Sequence, residues 1–88
     1  MNTVEDEIYA AIKKVKGIDR EQLSLNTNLR ELEVTSLEFI MISFELEDAY
    51  NIEIVDANLD TYQTIREAEE IVTNLIIQKE SKRQLESV

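Results

Sequence analysis

A single glycine, Gly17, and no proline in 88 residues restrict this chain more than any other feature. Tight turns in β-rich folds draw on glycine for left-handed backbone and on proline for fixed φ, so an all-β architecture lacks its raw material here. What remains is rich in helix formers, and 43 % of the residues are hydrophobic, enough for a globular core rather than a disordered acidic chain. A chain of this length forms one domain with a modest core. The fold class expected is all-α, a small helical bundle.

The periodicity gives the helices. Val4, Ile8, Ala11, Ile12 and Val15 form one stripe of a helix over 4–16, with Asn2 or Thr3 as cap, Glu5, Asp6 and Glu7 at its positive end, and Lys13, Lys14 and Lys16 at its negative end. Gly17 stops it. Residues 18–34 form a long connection; "DREQ" predicts a capping box and one short turn from Asp19, while Leu23, Leu25, Leu29, Leu32 and Val34 pin the loop to the core. A second helix starts at Thr35–Ser36, where "TSLE" is another capping box, and runs to Tyr50. Asp56 is read as the cap of a short turn over 57–60. The last helix opens on "TIRE" and carries Ile65, Ala68, Ile71, Val72, Leu75 and Ile76 on one side. From Gln78 the apolar stripe is lost, so the expected division is a domain over 1–78 and a frayed polar tail over 79–88.

The second helix has two apolar arcs. Phe39, Ile42, Leu46, Ala49 and Tyr50 make an ordinary core face, and Leu37, Ile40, Met41 and Phe44 make another on the opposite side. Glu38 and Glu45 separate the arcs on one flank; Glu47 and Asp48 border the second. Residues 36–60 hold seven acidic and no basic residues within a net charge of −10. Two readings of the second arc stand: leucines of the 18–34 loop cover it, or it is a docking strip with apolar anchors and a carboxylate rim. The acidity is likewise either a solvated surface or a field that attracts basic partners and repels nucleic acid and anionic lipid. Ser36 sits at the first helical position, where unpaired amides and the helix dipole favour a phosphate ester on its hydroxyl; serine is also a common plain helix start.

Several chemistries are excluded or unsupported. With no cysteine and no histidine, the chain offers no thiolate, no disulfide and no imidazole. No loop has the alternating ligands of a calcium-binding loop, so no metal site is expected beyond loose charge relief at Glu38, Glu45, Glu47, Glu53 and Asp56. No nucleophile and base are paired, so no enzyme is expected. The acidic start carries no targeting signal and no run reaches membrane-spanning length, which gives a cytoplasmic expectation without membrane insertion.

With these features assembled, residues 3–78 resemble the acyl carrier protein family. The family opens its acidic second helix on an Asp-Ser-Leu triplet, to which "TSLE" corresponds; its attachment serine matches Ser36, its leucine Leu37 and its following acid Glu38. "NIEIVDANLDTYQTI" is similar to the family's approach to its third and fourth helices. The resemblance implies a four-helix bundle of three longer helices and a short third one. It implies phosphopantetheine moved from coenzyme A onto Ser36 by a phosphopantetheinyl transferase, and an arm thiol holding acyl groups for fatty-acid, polyketide or related biosynthesis. It further implies a monomer whose strip of Leu37, Glu38, Ile40, Met41, Phe44, Glu45, Glu47 and Asp48 meets acyl-processing enzymes with basic docking surfaces. Leu46, Ile54, Leu59, Tyr62 and Ala68 match positions lining the family's acyl space. Departures from the pattern are Thr35 for the aspartate, Glu33 for a frequent glycine, Met41 for an acid, Val55 for a proline, and bulky Leu59 and Tyr62. They suggest an altered entry loop and a reduced or reshaped acyl space. The alternative is an acidic interaction module that keeps the fold without the prosthetic group.

Overall fold

A computed structural model describes residues 3–54 and 61–86, with side chains through Ser81. Among the described residues three helices form: α1, Val4–Lys16; α2, Ser36–Tyr50; and α3, Ile65–Glu86. A single 3₁₀ turn, Arg20–Gln22, interrupts the first connection. Among the described residues the architecture is all-helical, and the expected turn over 57–60 lies outside them.

Local chemistry sets the helix ends. Thr3 caps α1 with a reciprocal pair: its hydroxyl accepts from the Asp6 amide at 3.1 Å and its amide donates to the Asp6 carboxylate at 3.2 Å. Gly17 ends α1 at φ 76, a left-handed backbone that only glycine adopts without strain, and its amide donates to the Lys13 carbonyl at 2.9 Å. Asn51 plays the same part after α2 at φ 52. The carbonyls of Tyr50 and Asn51 accept from Lys79 Nζ at 3.2 and 3.0 Å, which secures the end of α2 to α3. That anchor lies beyond Gln78, and the helical backbone continues without a break to Glu86. The fraying expected from Gln78 is therefore not seen: loss of the apolar stripe ends core packing, but glutamine, lysine, arginine and glutamate still favour helix.

α1 packs against both α2 and α3, which approach one another much less. The core joins Ile8, Ala11 and Ile12 of α1, Phe39, Ile42 and Leu46 of α2, and Ile65, Ala68 and Val72 of α3. Each fully buried large aliphatic side chain contributes about 1.5–3 kcal/mol relative to exposure. Tyr62, just before α3, is 1 % exposed and fills the space beside α2, its ring 4.4 Å from that of Phe39. Tyr9 is buried too, although the periodic stripe omits it; its hydroxyl donates to Glu5 at 2.9 Å and the Arg20 guanidinium lies 5.0 Å from its ring.

The long first connection is held along its length. Leu29 and Val34 are buried, and Leu23, Leu25 and Leu32 pack partly against the core. Asn28 and Thr64 form an isolated antiparallel bridge. Around it, Leu29 N donates to the Gln63 carbonyl at 2.8 Å, while Ile65 N and Arg66 N donate to the Thr27 and Leu25 carbonyls at 3.2 and 2.9 Å. The loop thus satisfies amides at the start of α3 that no helical turn can reach. Thr64 adds its own hydroxyl to the Glu67 amide at 3.2 Å. One sequence expectation fails here: Asp19 makes no side-chain cap to the 3₁₀ turn, because its carboxylate pairs with Lys13 instead.

Candidate functional site

The start of α2 is built as the sequence predicts. The Thr35 hydroxyl accepts from the Glu38 amide at 3.1 Å, and Glu38 Oε1 accepts from the Thr35 amide at 3.0 Å. Between them, Ser36 occupies the first helical position and is exposed. The amides of Ser36 and Leu37 precede the first intrahelical bond, so the positive end of the helix lies beside the Ser36 hydroxyl. The Thr35 amide, then the Lys16 ammonium, hold the Glu38 carboxyl below the usual carboxylate range.

The approach to this point is unusual. Glu33 has φ 59, in the left-handed region, so the residue standing where a glycine is frequent takes a backbone conformation suited to glycine. Its carbonyl accepts from Lys16 Nζ at 3.0 Å, and the same ammonium lies 3.0 Å from Glu38 Oε1.

From Ser36 the second arc runs outward. Leu37 is 67 % exposed, Phe44 62 % and Met41 44 %, with Ile40 half-buried at the edge. Among the described residues the loop leucines do not cover these side chains; they turn towards the core instead. The core arc is as expected for Phe39, Ile42 and Leu46, with Tyr50 half-buried; Ala49 is exposed, and Ser43 is buried in its stead. Ser43 falls at the correct angle for that arc, and only its polarity concealed it from a hydrophobic count.

The carboxylate rim is less free than the sequence suggests. No basic residue occurs in 36–60, yet α1 supplies two: Lys14 lies 3.0 Å from Glu45 and Lys16 pairs with Glu38. Glu47 accepts from the Ile54 amide at 2.9 Å, and Asp48 is exposed. Among the described residues no three carboxylates gather as a metal site.

Of the residues read as an acyl space, Leu46, Ile54, Tyr62 and Ala68 are all buried and share the core; Leu59 lies outside the described residues, as does Val55, the residue read as standing for a proline. The Tyr62 and Ser43 hydroxyls are 2.9 Å apart. Burial pushes the Tyr62 phenol up to about 12. Lys14, Lys16 and Ser43 are the residues that sequence reasoning missed. No local signal marks the lysines, because as helix-ending cations they already had a sufficient role.

An exposed hydroxyl at a positive helix end, with the carboxylate of its cap already matched by an ammonium, fits a covalently bound phosphodiester. No helix among the described residues is long and apolar enough to cross a membrane. The family described as the phosphopantetheine attachment site matches residues 6–72. The acyl carrier protein of Lactobacillus johnsonii is 30 % identical over 73 residues, which span 77 % of this chain and 91 % of that protein. The acyl carrier protein of Buchnera aphidicola subsp. Schizaphis graminum is 28 % identical over 75 residues, 84 % of this chain and 95 % of that one. The chain belongs to the acyl carrier protein family, and its cofactor is covalently attached phosphopantetheine.

Proposed function

We propose that Ser36 Oγ is the attachment point of the phosphopantetheine and that this chain carries acyl intermediates of fatty-acid, polyketide or related biosynthesis. The observation that carries the reading is one exposed hydroxyl at the first position of α2, directly ahead of an exposed apolar strip. When attached, the arm supplies the terminal thiol on which acyl groups are held as thioesters. The chain's own residues bind and orient. Thr35 and Glu38 fix the helix start, and the Ser36 and Leu37 amides face the added negative charge. Leu37, Met41 and Phe44, with Ile40 behind them, are the contact surface for the transferase and for acyl-processing enzymes, and the protein itself is a carrier and not a catalyst.

Basic docking surfaces on those enzymes are met by Asp48 and by the overall charge of −10. Glu38 and Glu45 contribute less than their number suggests, since lysines of α1 already answer them. The apolar anchors therefore provide most of the affinity, and charge mainly steers the encounter. Leu46, Ile54, Leu59, Tyr62 and Ala68 are the candidate wall of an acyl space, with Tyr62 narrowing it. The turn expected over 57–60 lies outside the described residues, α3 carries the carrier domain past residue 78, and the protein acts as a cytoplasmic monomer.

The test is intact-mass measurement after incubation with coenzyme A and a broad-specificity transferase. The expected result is the addition of one phosphopantetheinyl group, absent in a folded Ser36→Ala variant. An unchanged wild-type mass with several transferases, or an addition that persists in Ser36→Ala, refutes the assignment.

A further inference from the structure

The amino group of Lys16 reaches from the last turn of α1 to both sides of Ser36. We propose that Lys16 is a positioning residue for the Ser36 hydroxyl; the proposal rests on Ser36 being the attachment point.

Three observations converge on it. First, Glu33, three residues before Ser36, holds φ 59 without being glycine. Such a conformation costs about 1 kcal/mol or more and persists only where neighbouring contacts enforce it. Turn bonds from Glu33 N to the Arg30 carbonyl (3.1 Å) and from Val34 N to the Leu29 carbonyl (3.3 Å) provide part of that constraint. The Lys16 ammonium adds a charge-assisted bond of 3.0 Å to the Glu33 carbonyl. Second, the same ammonium binds Glu38 Oε1, the very oxygen that accepts the Thr35 amide. Removing the ammonium frees Glu38 to swing into solvent, which opens the cap around Ser36. Third, the pair is not an ordinary surface contact: the Lys16 and Glu38 side chains are 23 % and 25 % exposed, against 58 % and 59 % for the Lys13–Asp19 pair.

One cation on a different helix thus joins the residue three before the hydroxyl to the residue two after it. It also places positive charge beside Glu38, so that the only carboxylate in the cap does not oppose an incoming phosphate. The strained loop, the cap and the helix terminus behave as one unit, with Lys16 as its fastener.

The experiment compares wild type with Lys16→Met, Lys16→Arg and the double variant Lys16→Met/Glu33→Gly. Transfer of phosphopantetheine from coenzyme A is followed by intact mass as a function of carrier concentration, with thermal melts in parallel. Lys16→Met is expected to remain folded and to lower kcat for modification by about tenfold, with little change in KM, as loss of orientation does. Lys16→Arg restores most of the rate. Glu33→Gly in the Lys16→Met background relieves the backbone strain and recovers the melting temperature without recovering the rate. Wild-type kcat in Lys16→Met, or a rate that returns together with stability in the double variant, overturns the proposal. Amide hydrogen exchange on the unmodified proteins gives a readout that needs no transferase. Faster exchange at Thr35 and Glu38 is expected in Lys16→Met, and unchanged exchange there refutes the clasp. If the wild type gains no mass while exchange behaves as expected, the attachment assignment fails and the clasp geometry stands.

Discussion

Replacing the two buried hydroxyls of Ser43 and Tyr62, singly and together, is the sharpest test of how this core is assembled. Both residues are 1 % exposed and their oxygens are 2.9 Å apart, so each is the other's partner inside the core. Ser43→Ala strands the Tyr62 phenol, whose position is fixed by its packing on Phe39, and an unsatisfied buried hydroxyl costs about 1–3 kcal/mol. The better helix propensity of alanine returns about 0.5 kcal/mol of that. Tyr62→Phe strands Ser43 instead, but a helical serine can turn its hydroxyl to the carbonyl four residues back, which limits the loss to about 1 kcal/mol. In the double variant no polar atom remains to be desolvated, and the core closes on apolar surface at close to neutral cost. The single variants should therefore sum to about 1.5–3.5 kcal/mol while the double loses less than about 1, a coupling of more than about 0.5 kcal/mol. Urea unfolding followed by circular dichroism, at constant m-value, measures it; in thermal melts 1 kcal/mol corresponds to about 4–8 °C for a domain of this size. Additivity of the two losses to within about 0.5 kcal/mol would show that the hydroxyls do not depend on one another, and the reasoning would fail.

The same phenol makes stability fall in alkali. Tyr62 is raised to about 12 by burial, so above pH 10 the unfolded chain releases a proton that the folded one retains, and stability declines by about 1.4 kcal/mol per pH unit up to pH 12. Burial raises Tyr9 and Tyr50 in the same direction, and denaturant midpoints in Tyr62→Phe should therefore show a shallower decline, not a flat one. Glu33→Gly in the wild-type background removes left-handed strain and should raise the unfolding free energy by up to about 1 kcal/mol; a loss of stability would mean the strain is not there. Leu37→Ser and Phe44→Ser change exposed side chains and should leave the melting temperature within about 2 °C, yet raise KM for modification by about tenfold or more, read by intact mass.

How much of this was legible beforehand depends on the range of the interaction involved. The helix starts of α1 and α2 were readable because a capping box is written within four consecutive residues, Thr3 to Asp6 and Thr35 to Glu38. The apolar stripes and the second arc of α2 were readable because a helix converts sequence spacing directly into angle. The same local logic misled at Asp19, where a capping pattern lost its acid to Lys13, and at Gln78, where the end of the stripe was taken for the end of the helix. Glu33 was expected to alter the entry loop, and instead it adopts the left-handed backbone itself.

The sequence by itself determined where α1 and α2 lie and where α3 begins, which hydroxyl leads the acidic helix and that this helix has two apolar arcs, because propensity, capping and periodicity act within a few residues. Only the tertiary structure decided what each charge and each hydroxyl faces. Lys14 and Lys16 lie far from Glu45 and Glu38 along the chain, and Ser43 far from Tyr62. Such pairings come from the way α1 packs on α2 and from how the segment before α3 turns inward, and packing brings together residues that no short window of sequence contains.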